Sequence, residues 1–100
     1  MNTPALFTLP IRVYYRDTDA GGVVYHGVFL DFMERTRTEW LRSLGYELNT
    51  LATDEDMLFV VRAAALDYMK PARLNDLLSV TAEVIELGRS RIVLRQQVLL

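Results

Sequence analysis

Between Leu9 and Leu44 the apolar residues change from every second position to every third and fourth, and the change is made across Tyr14-Tyr15-Arg16-Asp17-Thr18-Asp19-Ala20-Gly21-Gly22-Val23-Val24-Tyr25-His26-Gly27. A period of two belongs to a half-buried strand and a period near 3.6 to an amphipathic helix, so this stretch must join the two. On the strand side, Leu9, Ile11, Val13 and Tyr15 alternate with Pro10, Arg12, Tyr14 and Arg16, which puts Tyr15 on the inward face. On the helix side, Phe29, Phe32, Met33, Trp40, Leu41 and Leu44 mark one face of a helix over about Gly27 to Leu44. Trp40 lies on that stripe and is expected in the core. Asp31, Glu34, Arg35, Arg37, Glu39 and Arg42 form its solvated face, and Gly45 closes it.

The rest of the chain supplies a sheet. Met57 to Tyr68 is almost continuously apolar and reads as a strand covered on both faces, with a helix as the alternative for its alanines. Lys70-Pro71-Ala72-Arg73-Leu74-Asn75-Asp76 breaks the chain. Leu78, Val80, Ala82 and Val84 then alternate with Ser79, Thr81, Glu83 and Ile85. After Gly88-Arg89, Ile92, Leu94, Gln96, Val98 and Leu100 alternate with Arg91, Val93, Arg95, Gln97 and Leu99, as the second arm of a hairpin. The order strand, helix, strand, strand, strand makes an α+β layer, and 100 residues allow one domain, 1–100. So small a domain with open sheet edges is expected to associate at least as a dimer.

Composition removes several function classes. A net charge of −2 gives no basic footprint for nucleic acid. The absence of cysteine removes disulfides and thiolate metal sites. No apolar run is long enough to span a bilayer and the first residues do not resemble a secretory signal, so the expectation is a cytoplasmic protein.

The junction itself is where chemistry can be done, because N–H groups at a helix start lack intrahelical partners and can hold an oxygen that becomes negative. The competing reading is a plain loop whose aspartates and glycines serve turns and caps. As a calcium loop the stretch fails, since Gly21 and Val28 stand where oxygen ligands are required. Gly21-Gly22 lacks the glycine spacing and the lysine of a phosphate cradle, and the chain's single histidine is a poor start for a metal site. Carboxylate catalysis beside a helix N-terminus remains, with Asp19 and His26 bracketing that end.

Tyr15-Arg16-Asp17-Thr18-Asp19-Ala20-Gly21-Gly22-Val23-Val24-Tyr25-His26, Phe32-Met33-Glu34-Arg35-Thr36-Arg37-Thr38-Glu39-Trp40, Phe59-Val60-Val61-Arg62 and Asp67 to Asp76 together resemble the YbgC branch of the 4-hydroxybenzoyl-CoA thioesterase family, over nearly the whole chain. The resemblance implies a hotdog fold, an antiparallel sheet wrapped around one long helix, with subunits paired into homodimers or homotetramers. It implies hydrolysis of acyl-CoA thioesters, with coenzyme A part of the substrate and no separate cofactor or metal, and a link to the Tol-Pal envelope system. The second aspartate of the family's Asp-x-Asp falls on Asp19, as general base or nucleophile, supported by Tyr15 and His26. The backbone near Val24, Tyr25 and His26 would polarise the thioester carbonyl, and Asp17 would shape the loop. Arg62, Lys70, Arg73, Arg89 and Arg91 are the candidates for the CoA phosphates. Family members continue past Leu100 with a further strand, so a sheet lacking its last strand is expected. A hotdog hydratase or dehydratase, and a non-catalytic acyl-binding scaffold, are the alternatives.

Overall fold

The computed structural model describes residues 6–47, 61 and 63–100. Its elements are β1 (Phe7–Arg12), a 3₁₀ turn (Tyr15–Asp17), α1 (His26–Ser43), β2 (Leu77–Leu87), β3 (Ile92–Arg95) and β4 (Val98–Leu99). β2 is the central strand. β1 runs antiparallel along it from Phe7 opposite Ala82 to Arg12 opposite Leu77, while β3 and β4 return along it after the turn at Gly88. Pro10 is tolerated in β1 because that strand pairs only with β2 among the described residues, leaving one side without a ladder.

α1 lies across this sheet, and the core forms between them. Ile11, Val13, Leu78 and Val80 from the strands meet Phe29 and Phe32 from the helix, with Val24 and Ala72 at one end. The alternation read along β2 holds at Leu78 and Val80, but Thr81 is as buried as Val80 and Ala82, so both faces are covered there, and Val84 is only half-buried. On α1 the buried positions are Phe29, Phe32 and Thr36, spaced three and four apart, with the Thr36 hydroxyl satisfied by the Phe32 carbonyl at 2.8 Å. Trp40 is only half-buried and Leu44 is 56% exposed, so the expected core stripe stops at Thr36. The contacts explain it, since the clustered core faces only the first half of the helix.

The helix ends as its glycine predicts. Gly45 has φ of 95°, and its N–H reaches the Arg42 carbonyl at 2.9 Å while Tyr46 N–H reaches Leu41 at 3.0 Å, the two bonds of a Schellman cap. Arg42 is also clipped to Glu39 and Glu47. Its hydrogen bond holds the Glu47 carboxyl below the usual carboxylate range, although both side chains are exposed and the pair is screened.

Three expectations are corrected. β1 stops at Arg12 and the chain from Tyr15 turns instead of continuing the strand, because the Asp17 carboxylate accepts the Tyr14 N–H at 2.9 Å and Asp17 N–H bonds back to the Tyr14 carbonyl. The strand read over Met57–Tyr68 is absent where that run is described. Residues 61 and 63–68 pair with no described strand and are exposed except for half-buried Leu66; residues 57–60 and 62 lie outside the described residues. The final strand is divided at Gln96–Gln97 by side chains entering the ladder. Gln97 N–H bonds to the Thr81 hydroxyl at 2.9 Å, and the Thr81 carbonyl instead accepts the Gln96 side-chain amide at 3.2 Å. That amide also reaches the Met33 carbonyl, and Arg37 donates to its oxygen at 2.9 Å, so Gln96 ties the helix to the sheet.

Candidate active site

Asp19 opens a tight hairpin. Its N–H bonds to the Val23 carbonyl at 2.9 Å and Gly22 N–H returns to the Asp19 carbonyl at 3.0 Å, with Gly22 at φ of 80°. This is a three-residue loop closed by a left-handed residue, a conformation that glycine adopts without strain. One oxygen of the Asp19 carboxylate accepts the Gly21 N–H at 2.8 Å. The other has no hydrogen-bond partner among the described residues, and the residue is exposed. Asp17, by contrast, is buried at 8% exposure, with its carboxylate on Tyr14 and its carbonyl accepting the Tyr25 N–H at 3.2 Å. The first aspartate shapes the loop; the second shows a free oxygen to solvent.

The hairpin delivers the chain to the start of α1. Val24 N–H bonds to the Ala72 carbonyl at 2.7 Å and Tyr25 N–H to Asp17, so neither is free to hold a substrate oxygen. Of the three expected positions only His26 keeps its N–H without a partner among the described residues, and the N–H of Gly27 beside it is likewise without one. Gly27 leaves room for the Tyr25 ring, which would lie 3.0 Å from any Cβ placed there. The Tyr25 ring in turn lies 4.5 Å from that of His26.

Beside this helix start is an open pocket of about 240 Å³ lined by Val24, His26, Phe29, Tyr68, Met69, Lys70 and Pro71. The segment forming its far wall is fastened to the helix start by the Val24–Ala72 bond and by a bridge between Val23 and Arg73. Asp19 is not among the lining residues and stands outside, on the hairpin. His26 lines the pocket, whereas Tyr15 is 82% exposed and has no hydrogen bond or ring contact with Asp19 or His26 among the described residues. Its expected inward direction is lost because the strand period ends before it.

The basic candidates separate. Lys70 lines the pocket, and exposed Arg73 adjoins it in the same segment. Arg89 and Arg91 lie at the opposite end of β2, on the order of 30 Å away along an extended strand, and Arg91 pairs with Glu86. Neither lines this pocket. Arg62 lies outside the described residues. Phe29, Tyr68 and Met69 were given no site role by their pattern. Tyr68 comes from more than forty positions downstream of His26, and only its place just before the Lys70-Pro71 break marks it in the sequence.

One long helix laid on an antiparallel sheet is the hotdog arrangement. The chain belongs to the thioesterase superfamily, whose sequence model matches residues 21–99. It is 48% identical over 93% of its length to the acyl-CoA thioesterase YbgC of Haemophilus influenzae, covering 68% of that protein. It is 45% identical over 98% of its length to the acyl-CoA thioester hydrolase YbgC of Escherichia coli, covering 72% of that protein. A solved structure of a probable thioesterase from Bartonella henselae superposes with a TM-score of 0.90 at 37% identity, over 95% of this chain and 79% of that one. Among the described residues no helix is long and apolar enough to cross a membrane.

Proposed function

We propose that the chain hydrolyses acyl-CoA thioesters, with the thioester carbonyl held at the start of α1 and Asp19 supplying the attacking side. The observation that carries this is the pair of N–H groups at His26 and Gly27 that have no partner among the described residues and sit at the positive end of a helix of 18 residues. Similarity to proteins named as acyl-CoA thioesterases supports the substrate class. The free oxygen of Asp19 activates water or itself attacks the carbonyl carbon. In the first route water adds, the oxyanion forms at the two N–H groups, and the C–S bond breaks as the anion collapses. CoA leaves as its thiol and the acyl group as its acid. In the second, the acyl-aspartate anhydride formed on C–S cleavage is hydrolysed to the same products. The apolar walls of the pocket, Val24, Phe29 and Met69, suit an acyl group, and Lys70 beside them suits a phosphate or pantetheine oxygen of CoA.

Incubation with a panel of acyl-CoAs and a thiol reagent tests the reading. Free thiol should appear in step with loss of the thioester. Loss of enoyl absorbance without thiol would assign the hydratase chemistry, and binding without turnover would assign a scaffold. The connection with the Tol-Pal system rests on the family resemblance alone; co-isolation of its components with the chain would support it.

A further inference from the structure

The pocket wall does more than line the cavity. The Tyr68 hydroxyl donates to the His26 carbonyl at 3.1 Å, and its ring meets the His26 ring edge-on at 5.8 Å and lies 5.9 Å from that of Phe29. The His26 carbonyl and the Gly27 N–H are the two ends of one planar trans peptide, so they point in opposite directions and turn together. The first turn of α1 holds this peptide, the His26 carbonyl taking the Leu30 N–H, and Tyr68 adds a second donor to the same oxygen. A carbonyl that accepts a hydrogen bond also polarises its amide, which makes the attached N–H a stronger donor.

We propose that Tyr68 is a positioning residue: its hydroxyl, a second donor on a carbonyl that the helix already holds, polarises the His26–Gly27 peptide and strengthens the Gly27 N–H as a donor to the thioester carbonyl in the transition state. The inference rests on the thioesterase reading of this helix start. Tyr68 is not needed to fasten the wall, because the Val24–Ala72 bond and the Val23–Arg73 bridge hold that segment independently of it. Nor does its ring depend on the hydroxyl for burial, being 52% exposed. Removing the hydroxyl alone should therefore leave the pocket and the helix turn standing and take from the His26 carbonyl only its second donor.

Tyr68→Phe in the whole chain is the test, measured as kcat and KM separately. Loss of an entire oxyanion donor costs about 10²–10³ in kcat, and a group acting on the donor from behind should cost less, about 5- to 30-fold. KM should change less than about twofold and the melting temperature should not move, since the ring and the backbone anchors remain. A spectroscopic readout separates positioning from structure. In an Asp19→Asn background, where turnover is slowed, the carbonyl stretch of bound isotope-labelled acyl-CoA should lie at higher frequency with Tyr68→Phe than without it. Tyr68→Phe with wild-type kcat and an unmoved carbonyl stretch overturns the proposal, as does a rise confined to KM, which would make Tyr68 a wall residue only. If Asp19→Asn slows hydrolysis in the same experiment, the thioesterase reading survives that result. Wild-type hydrolysis by Asp19→Asn would instead overturn the role of Asp19, and no thiol release by the unaltered chain would overturn the thioesterase reading itself.

Discussion

Asp17 and Asp19 are two positions apart and have different surroundings. Asp17 is buried with one carboxylate oxygen on the Tyr14 N–H, while Asp19 is exposed with one oxygen on the Gly21 N–H, so only the second carboxylate is open to solvent. The glycines between Asp19 and the helix divide their work similarly. Gly22 needs its φ of 80° but has open space around it, so Gly22→Ala should cost about 1–2 kcal/mol through backbone strain alone, read by urea denaturation. Gly21 has no such φ, but a Cβ there would meet the Asp19 carboxylate at 3.3 Å. Gly21→Ala should therefore keep most of the stability and lower kcat by displacing that carboxylate. A loss of kcat from Gly22→Ala only, with Gly21→Ala unaffected, would contradict this division. At this scale the sequence showed which residues the loop would use, because glycine pairs and aspartates have few other reasons to gather. It misplaced Tyr15, whose direction depended on where Asp17 ends the strand. It named Val24 and Tyr25 as donors together with His26, but the N–H groups of Val24 and Tyr25 are taken by Ala72 and Asp17, and pairing across the fold leaves no trace in local spacing.

Among the elements, α1 was legible to within a residue at either end because its period, its following glycine and its preceding loop agree. Its depth of burial was not, since a stripe of apolar residues records which face is inward but not how far along the sheet it extends. The correction changes an expected energy. Phe32, 1% exposed, should cost about 3–5 kcal/mol on replacement by alanine, whereas half-buried Trp40 should cost about 1–2 kcal/mol, its ring being already partly in water. Equal losses in denaturant titrations would restore Trp40 to the core. The divided strand at Gln96–Gln97 was read as continuous because the alternation persists through it. Leu94, Gln96 and Val98 keep one phase, and only the Thr81 hydroxyl and the Gln96 amide interrupt the ladder.

For the whole molecule, family motifs made the hotdog arrangement legible where periodicity reached only an α+β layer. Which charges belong to one site was not legible, because Arg89 and Lys70 are separated by the length of β2, and only the sheet register sets that distance. Leu77, Ile85 and Leu87 along β2, together with Met69 at the pocket, are at least half exposed in a single chain. We expect association that covers part of this surface, so sedimentation at micromolar concentration should give a dimer or larger, and a folded monomer would contradict that expectation. The central claim is that the free oxygen of Asp19 drives thioester hydrolysis at the start of α1. It is tested most directly by thiol release from acyl-CoA with Asp19→Asn and Asp17→Asn side by side, each checked for folding. The account predicts that Asp19→Asn stays folded, still binds CoA and releases thiol about 10²–10⁴ times more slowly, while Asp17→Asn loses stability at least as much as rate. Wild-type thiol release by Asp19→Asn, with a folded Asp17→Asn inactive, would contradict it and move the chemistry to the buried aspartate.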